Sequence, residues 1–416
     1  MGFAHCHPVL GLDGTHLKHK YQGILLAATA PDANGSLFPV AHAVVDAEND
    51  ANWLWFLQIM HEVVEKHAPH LLQEPDRLVL LSDRQKGLLE GVERIFPDSP
   101  HGYCLHHLED NFHREFKNVE LKSLLWKAAR ALTEDDFNKA LDGMKTINPR
   151  SVPWLLSHAN PEHWAELYFK GRRYGHLTSN IAESLNAWLL PAREMPILPM
   201  LERIRQQLME WFSARRQIDA NATGIVVSKV GKQIQTLVND RARRYKFLQS
   251  TNALFEVRSK ETLCEYIVNF DTQSCSCREW QATGVPCGHA LAIIIGYFRQ
   301  DPQTYAKKFY TLEAFRNTYA MPIVHPHNND FYQPLRLQYA RSPTPPDDED
   351  SESSIESSAE SSAEPDTLLP PNARRPPGRP KKRRIRSKSG EGNRRIQRCS
   401  RCRQMGHSKR TCREAI

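Results

Sequence analysis

The sequence has no run of about eighteen consecutive apolar residues, so no segment reads as a membrane-spanning helix. Its first residues, MGFAHCHPVLG, lack a basic region followed by an apolar one, so a secretory signal is not expected there. No internal repeat is evident. Cysteine is scarce and unpaired in number: of nine, six fall in two tight clusters, each with a histidine. That usage belongs to metal sites in a reducing compartment, not to a disulfide framework.

Net charge is almost missing from most of the chain. The formal +7 over 416 residues is concentrated at the C-terminal end. Pro370 to Ile416 holds 17 Lys/Arg against 2 acids, while Asp347 to Asp366 holds 9 acids and no Lys/Arg. Residues 1–346 keep 38 basic and 37 acidic side chains, close to neutrality. A neutral body with a basic tail points to nucleic acid or nuclear import as the business of the tail. With 40% hydrophobic residues, the body can bury a sizeable core, and the length suits two or three domains.

Three β-like runs open the chain, Val9–Asp13, Gln22–Ala30 and Leu37–Val45, joined in part by the turn-rich TAPDANGS; they predict an antiparallel meander. In the next segment Trp53, Phe56, Leu57, Met60, Val63 and Val64 share one helical face. RLVLLSD then reads as a buried strand with Asp83 at its C-terminal end, QKGLLEGVERIF as a helix and HGYCL as a short strand. The order β-β-β-α-β-α-β followed by helices is the RNase H-like arrangement, an α/β fold with a mixed sheet. Residues 109–170 predict an all-α insertion, TSNIAESLNAWLL a helix, and LPMLERIRQQLMEWFSARR a longer one with Leu201, Ile204, Leu208 and Trp211 inward.

Asp13 interrupts the apolar strand VLGLDGTHLK, and alternation points it away from Leu12. Asp83 ends the neighbouring strand of this topology, and Glu183 lies on the helix after the insertion. Carboxylates converging from strand ends suit Mg²⁺ or Mn²⁺, which favour oxygen ligands and can activate phosphodiester chemistry. Each acid also has a plainer reading. Asp13 precedes Gly14 and could open a turn, Asp83 could cap the helix starting at Arg84 or Gln85, and Glu183 completes a capping box with Asn180.

Two cysteine clusters carry the sharper signals. Cys275, Cys277, Cys287 and His289, in CSCREWQATGVPCGHALA, supply three thiolates and an imidazole, a complete tetrahedral Zn²⁺ set between a strand and an apolar helix. Cys264 lies outside the pattern and is expected in the core. Cys399, Cys402, His407 and Cys412 have CCHC zinc-knuckle spacing, with Gly406 allowing a tight turn. The knuckle has no aromatic residue for stacking, so phosphate attraction, including that of single-stranded nucleic acid, is expected from its arginines and lysines. Upstream, PGRPKKRR resembles an AT-hook; Arg379, Lys381, Lys382, Arg383 and Arg384 serve equally as minor-groove contacts or an import signal. The acidic run before them reads as a solvated spacer able to compete with DNA for the basic tail.

LDGTHLK, AENDANWLWFL, LLSDRQKGLLEGVERIFP, YCLHHLEDNF and TSNIAESLNAWLL, in this order, resemble the catalytic domain of Mutator-like (MULE) DDE transposases. The 275–289 cluster is similar to the SWIM-type zinc finger that follows this domain in the family. The resemblance implies that Asp13, Asp83 and Glu183 form a DDE triad for metal-dependent DNA cleavage and strand transfer. It also places a Cys-x-x-His pair, here Cys104 and His107, beside the active site; a buried cysteine next to a surface histidine is the plainer account. The implied organisation is a transposase domain at 1–220, a helical connector at 221–253 and a SWIM region at 254–320. A disordered linker at 340–397 and the knuckle at 398–413 follow. A nuclear, DNA-acting protein is expected, with two structural zinc sites and homo-oligomer formation left open. Family members generally carry a DNA-binding domain upstream of the first acid, and about twelve residues precede it here. The alternatives are a non-catalytic regulator that keeps the fold, or a nuclease of RNA hybrids.

Overall fold

A computed structural model describes residues 2–19, 22–74, 76–219, 223–262 and 264–323. The knuckle, the AT-hook-like segment and the acidic run lie outside the described residues.

The first strands form as the apolar runs require. β1 (Val9–His16), β2 (Ile24–Pro31) and β3 (Leu37–Val45) make an antiparallel meander. Asp32 closes the β2–β3 turn by accepting the backbone N–H groups of Asn34 and Ser36, at 2.9 and 2.8 Å, with Gly35 at a positive φ of 70°. α1 (Asp50–His67) is capped by Asn49 and buries Trp53, Phe56, Leu57, Met60 and Val64. Val63, expected on the same face, is 39% exposed. β4 (Val79–Ser82) then enters beside β1 in parallel, α2 (Lys86–Ile95) packs on α1, and β5 (His101–Tyr103) adds in parallel to β4. The result is a five-stranded mixed sheet in the order β3-β2-β1-β4-β5.

Alternation decides which face each side chain enters. Leu10, Leu12, Leu26 and Ala28 join Trp53 and Leu57 in the main core, on the α1 side. Leu25 and Ala27 instead pack with Leu185, Leu189, Met200 and Ile204 on the other side. Burial on both faces explains why β2 reads as a continuous apolar run.

Between β5 and the second face lie α3 (Leu105–Phe116), α4 (Val119–Arg130), α5 (Glu134–Ile147), α6 (Ser151–His158) and α7 (Pro161–Trp164). These helices have a core of their own, centred on Phe112, Leu125, Met144, Leu155 and Trp164. α8 (Asn180–Trp188) returns to cover β1, β2 and β3, and α9 (Ile197–Asp219) follows. Ile204 of α9 is buried and Leu208 and Trp211 are half-buried, but Leu201 is 37% exposed.

α10 (Ser228–Asp240) is helical as expected, but Tyr245–Gln249, read from sequence as helical connector, is strand β6. It pairs with β7 (Leu254–Ser259) in a second sheet completed by β8 (Glu265–Asn269) and β9 (Ser274–Cys275), in the order β6-β7-β8-β9. Aromatic side chains explain the change: Phe247 packs against Phe255 and Tyr297, a contact that a cross-strand pair makes available. α11 (Glu279–Thr283), α12 (Gly288–Ile293) and α13 (Leu312–Tyr319) complete the described chain. Cys275, Cys287 and Leu291 belong to the same buried cluster as Leu10 and Trp53. Polar ties reinforce this union, because Asp76 accepts hydrogen bonds from Tyr174 Oη at 2.6 Å and Lys307 Nζ at 2.9 Å. No described helix is long and apolar enough to cross a membrane.

Candidate functional site

The register of two parallel strands brings the first two acids together. Gly11 on β1 is level with Leu81 on β4, so two residues further on Asp13 and Asp83 occupy corresponding positions, with neighbouring strands about 4.8 Å apart. Asp13 is not in a turn: β1 continues to His16, with Asp13 paired to Ala27. Leu12 goes to the main core and Asp13 to the opposite face, under α8.

Asp83 does not cap α2. The cap is Gln85, whose side chain accepts from Leu88 N at 2.7 Å, while Asp83 Oδ1 accepts from Gln85 N at 3.1 Å. Glu183 is not in a capping box either, since the helix is capped at Ser179 without a side-chain bond and Asn180 is already its first residue. Glu183 Oε1 is buried without a hydrogen-bond partner among the described residues. A buried, unpartnered carboxylate oxygen is costly, and such a group calls for a cation or another ligand.

Gly11 makes room for the Thr29 hydroxyl of β2, while α8 passes at ordinary contact distance. A Cβ there would lie 4.0 Å from the Ala182 methyl and 3.0 Å from Thr29 Oγ1. One turn after Glu183, Asn186 Nδ2 donates to Asp13 Oδ2 at 2.7 Å. Arg193 anchors this arrangement by donating to the carbonyls of His16 and Asn186. Asn186 was readable as the i+3 neighbour of Glu183 on one helical face, a signal passed over at the sequence level.

Glu48 is a fourth carboxylate, and nothing in its local sequence marks it. It sits between β3 and the cap of α1, held by Trp53 Nε1 at 3.3 Å. It reaches across Gly14, where a Cβ would fall 2.8 Å from Glu48 Oε1. Burial and then the charge of Asp83 raise its pKa. Gly14→Ala is expected to turn this flexible carboxylate aside at little cost to the fold. Its melting temperature should stay within a few degrees of wild type, whereas the Asp13 titration followed by NMR should move down.

Asp13 itself is pushed up to about 7, first by burial, then by the charge of Asp83 and, against the pull of His107, of Glu183 and Glu48. The sign of the consequence is fixed. The folded chain keeps a proton that the unfolded chain releases near its ordinary value of 3.8, so stability falls as pH rises from about 4 to about 7. Three units correspond to about 4 kcal/mol at most, and partial exposure reduces this to about 1–3 kcal/mol. Metal-free Asp13→Asn should therefore unfold at a higher temperature than wild type at about pH 8, and the two should converge near pH 4. Equal melting curves at pH 8 would contradict a buried, crowded carboxylate.

Cys104 and His107 lie at the start of α3, next to the ends of β4 and β5. Cys104 is 1% exposed and its sulfur accepts from Ser179 N at 3.3 Å. Burial pushes the thiol up, but hydrogen bonds from His107 and Ser179 outweigh it and leave the value lowered. His107 is raised to about 9, chiefly by Cys104, against burial and with help from Asp83 and Glu183. The histidine is thus no bystander on the surface.

The second centre is the SWIM-like cluster. One donor atom from each of Cys275, Cys277, Cys287 and His289 lies within 4.8 Å of the others. His289 Nδ1 is 3.6 Å from Cys275 Sγ and 3.8 Å from Cys287 Sγ, close to the ligand–ligand spacing of tetrahedral zinc. Three thiols and an imidazole turned to one point fit Zn²⁺ and leave no open position. Tyr266 stacks on the imidazole at 3.8 Å and Tyr245 lies at 4.5 Å, fixing the ring. Cys275 ends β9 and Cys287 caps α12, so the metal ties sheet to helix. Cys264, expected in the core, is exposed, as it sits in the turn entering β8.

Residues 9–111 match the MULE transposase domain family and residues 266–295 match the SWIM zinc finger. FAR1-RELATED SEQUENCE 4 of Arabidopsis thaliana is 21% identical over 251 residues, an alignment covering 52% of this chain and 34% of the relative. The chain thus spans about a third of that relative's length. Two independently placed matches, the first holding Asp13, Asp83, Cys104 and His107 but ending before Glu183 and the second holding all four ligands of the cysteine cluster, lead to one conclusion: this chain carries a segment of the MULE transposase domain family followed by a SWIM zinc finger.

Proposed function

We propose that the mixed sheet is an RNase H-like catalytic core acting on DNA, with Asp13, Asp83 and Glu183 as its acidic triad. The observation that carries this reading is electrostatic: Asp83, at the end of β4, and Glu183, on α8, both act on Asp13 of β1, which is raised to about 7, and Glu183 has a buried, unpartnered oxygen, although the oxygens of the three do not all lie within 4.8 Å of one another. Carboxylates so crowded repel one another unless a proton or a cation intervenes. Their oxygens suit Mg²⁺ or Mn²⁺, which would supply Lewis-acid stabilisation of a phosphodiester and of its leaving oxygen. Asn186 orients Asp13 and, with Arg193, keeps α8 in place. Asp13 must lose its proton to hold a cation, so at subsaturating metal cleavage should rise with pH up to about 7. Metal-dependent nicking and joining of oligonucleotides, compared with Asp13→Ala, tests the assignment.

In this reading residues 1–220 form the transposase domain, with the insertion at 109–170, and 254–320 the finger region. The tail from 340 onward supplies DNA contact through Arg379, Lys381, Lys382, Arg383 and Arg384 and through a Cys399–Cys402–His407–Cys412 knuckle. Action on DNA together with the basic tail supports a nuclear location. A second reading, a regulator that binds DNA without cutting it, is favoured by the similarity to a relative named FAR1-RELATED SEQUENCE 4, a name that carries no transposase activity. Specific DNA binding untouched by Asp13→Ala, with no cleavage by wild type, would select it.

A further inference from the structure

Glu183 faces a second set of partners besides the acids. One donor atom each from Cys104, His107 and Glu183 lies within 4.8 Å of the other two. Three elements build this cluster: the β5–α3 junction supplies the thiol, the first turn of α3 the imidazole, and α8 the carboxylate. The Ser179 N–H to Cys104 sulfur bond joins the two helix starts. Glu183 Oε1, His107 Nδ1 and Ser179 Oγ are all buried without hydrogen-bond partners among the described residues. Sequence shows only the two-ligand Cys-x-x-His pair, which is too few for a metal; the fold adds the third donor.

Thiolate, imidazole and carboxylate together form a donor set that Zn²⁺ accepts, whereas Mg²⁺ does not take sulfur. Three protein ligands leave a fourth position open, unlike the closed cluster of Cys275, Cys277, Cys287 and His289. We propose that Cys104, His107 and Glu183 form a separate zinc site, and that zinc held there takes Glu183 away from the acidic triad. A single half-buried carboxylate shared between both groups is the point at which zinc and a hard cation would compete. The zinc site stands on its own geometry; only the competition rests on the reading of Asp13, Asp83 and Glu183 as a hard-cation site.

The test is a count of Co²⁺ ions per chain on the full-length protein, using the thiolate-to-cobalt absorption and elemental analysis. Cys104→Ser and His107→Ala should each hold one ion fewer than wild type, with the Cys275-centred site still filled. Equal counts in wild type and both folded variants would overturn the site. A second measurement needs no variant: Zn²⁺ added to Mn²⁺-loaded wild type beyond the structural equivalents should release Mn²⁺, seen by EPR as free ion. Mn²⁺ that binds and stays bound overturns the competition. Loss of one cobalt in the variants, with no Mn²⁺ bound by wild type at all, would leave the zinc site standing and remove the triad reading instead.

Discussion

Replacing Asp13 by alanine is expected to lower Mg²⁺- or Mn²⁺-dependent cleavage of a DNA oligonucleotide at least about a thousandfold. The magnitude follows from what a metal ligand supplies, several kcal/mol of transition-state charge stabilisation at about 1.4 kcal/mol per tenfold in rate. Folding does not confound the comparison, because the carboxylate is raised to about 7 by burial and by neighbouring acids. Its removal relieves repulsion, at the cost of one hydrogen bond from Asn186 at 2.7 Å. The alanine variant should therefore melt no lower than wild type at neutral pH while losing activity. That split between stability and activity marks a site built for a ligand. Cleavage that survives the substitution, with the same metal dependence, would remove Asp13 from the centre.

The second large effect is expected at the finger. Cys287→Ser, or prolonged chelation of the wild type, should unfold the β6–β9 sheet and lower the melting temperature by more than 10 °C, an order set by metal-binding energies. Structural zinc contributes about 10–16 kcal/mol in small peptides, against a total stability of about 5–15 kcal/mol for a domain. Without metal, hydrogen bonds among the thiols hold Cys277 far below its ordinary value and push Cys275 up to about 12. Three clustered sulfurs cannot all be thiolates unless a cation neutralises them. Damage should spread past the finger, because Cys275 and Cys287 lie in the core that also holds Leu10 and Trp53. Circular dichroism and limited proteolysis would show it. A finger that stays folded without zinc would mean that its aromatic packing suffices.

Local pattern carried much of this far. The five strands of the first sheet, α1, α2 and the insertion were legible because their apolar residues repeat at the strand or helix period. The zinc ligands were legible because they lie close in sequence, where spacing alone constrains geometry. Val63 and Leu201 were misplaced for the converse reason: helical period marks a stripe, and the neighbouring element decides how wide a stripe is covered. Tyr245–Gln249 went to a strand because its partner β7 lies on the far side of a turn, a tertiary reward that propensity does not see.

For the acids the division is sharper. Sequence determined that Asp13 sits in a strand pointing away from Leu12, that Asp83 ends another, and that Glu183 belongs to a helix. It left each with an alternative as a cap or a turn residue, since those roles are local and equally well spelled. Only the tertiary structure removed the alternatives, by giving the caps to Gln85 and Ser179 and running β1 on past Gly14. It alone added Glu48 to the acids and joined Glu183 to Cys104 and His107. The physical reason is that charge and metal chemistry act across a few ångströms of space. Residues as far apart in the chain as Asp13 and Glu183 meet there through sheet register and helix return, which no local pattern encodes.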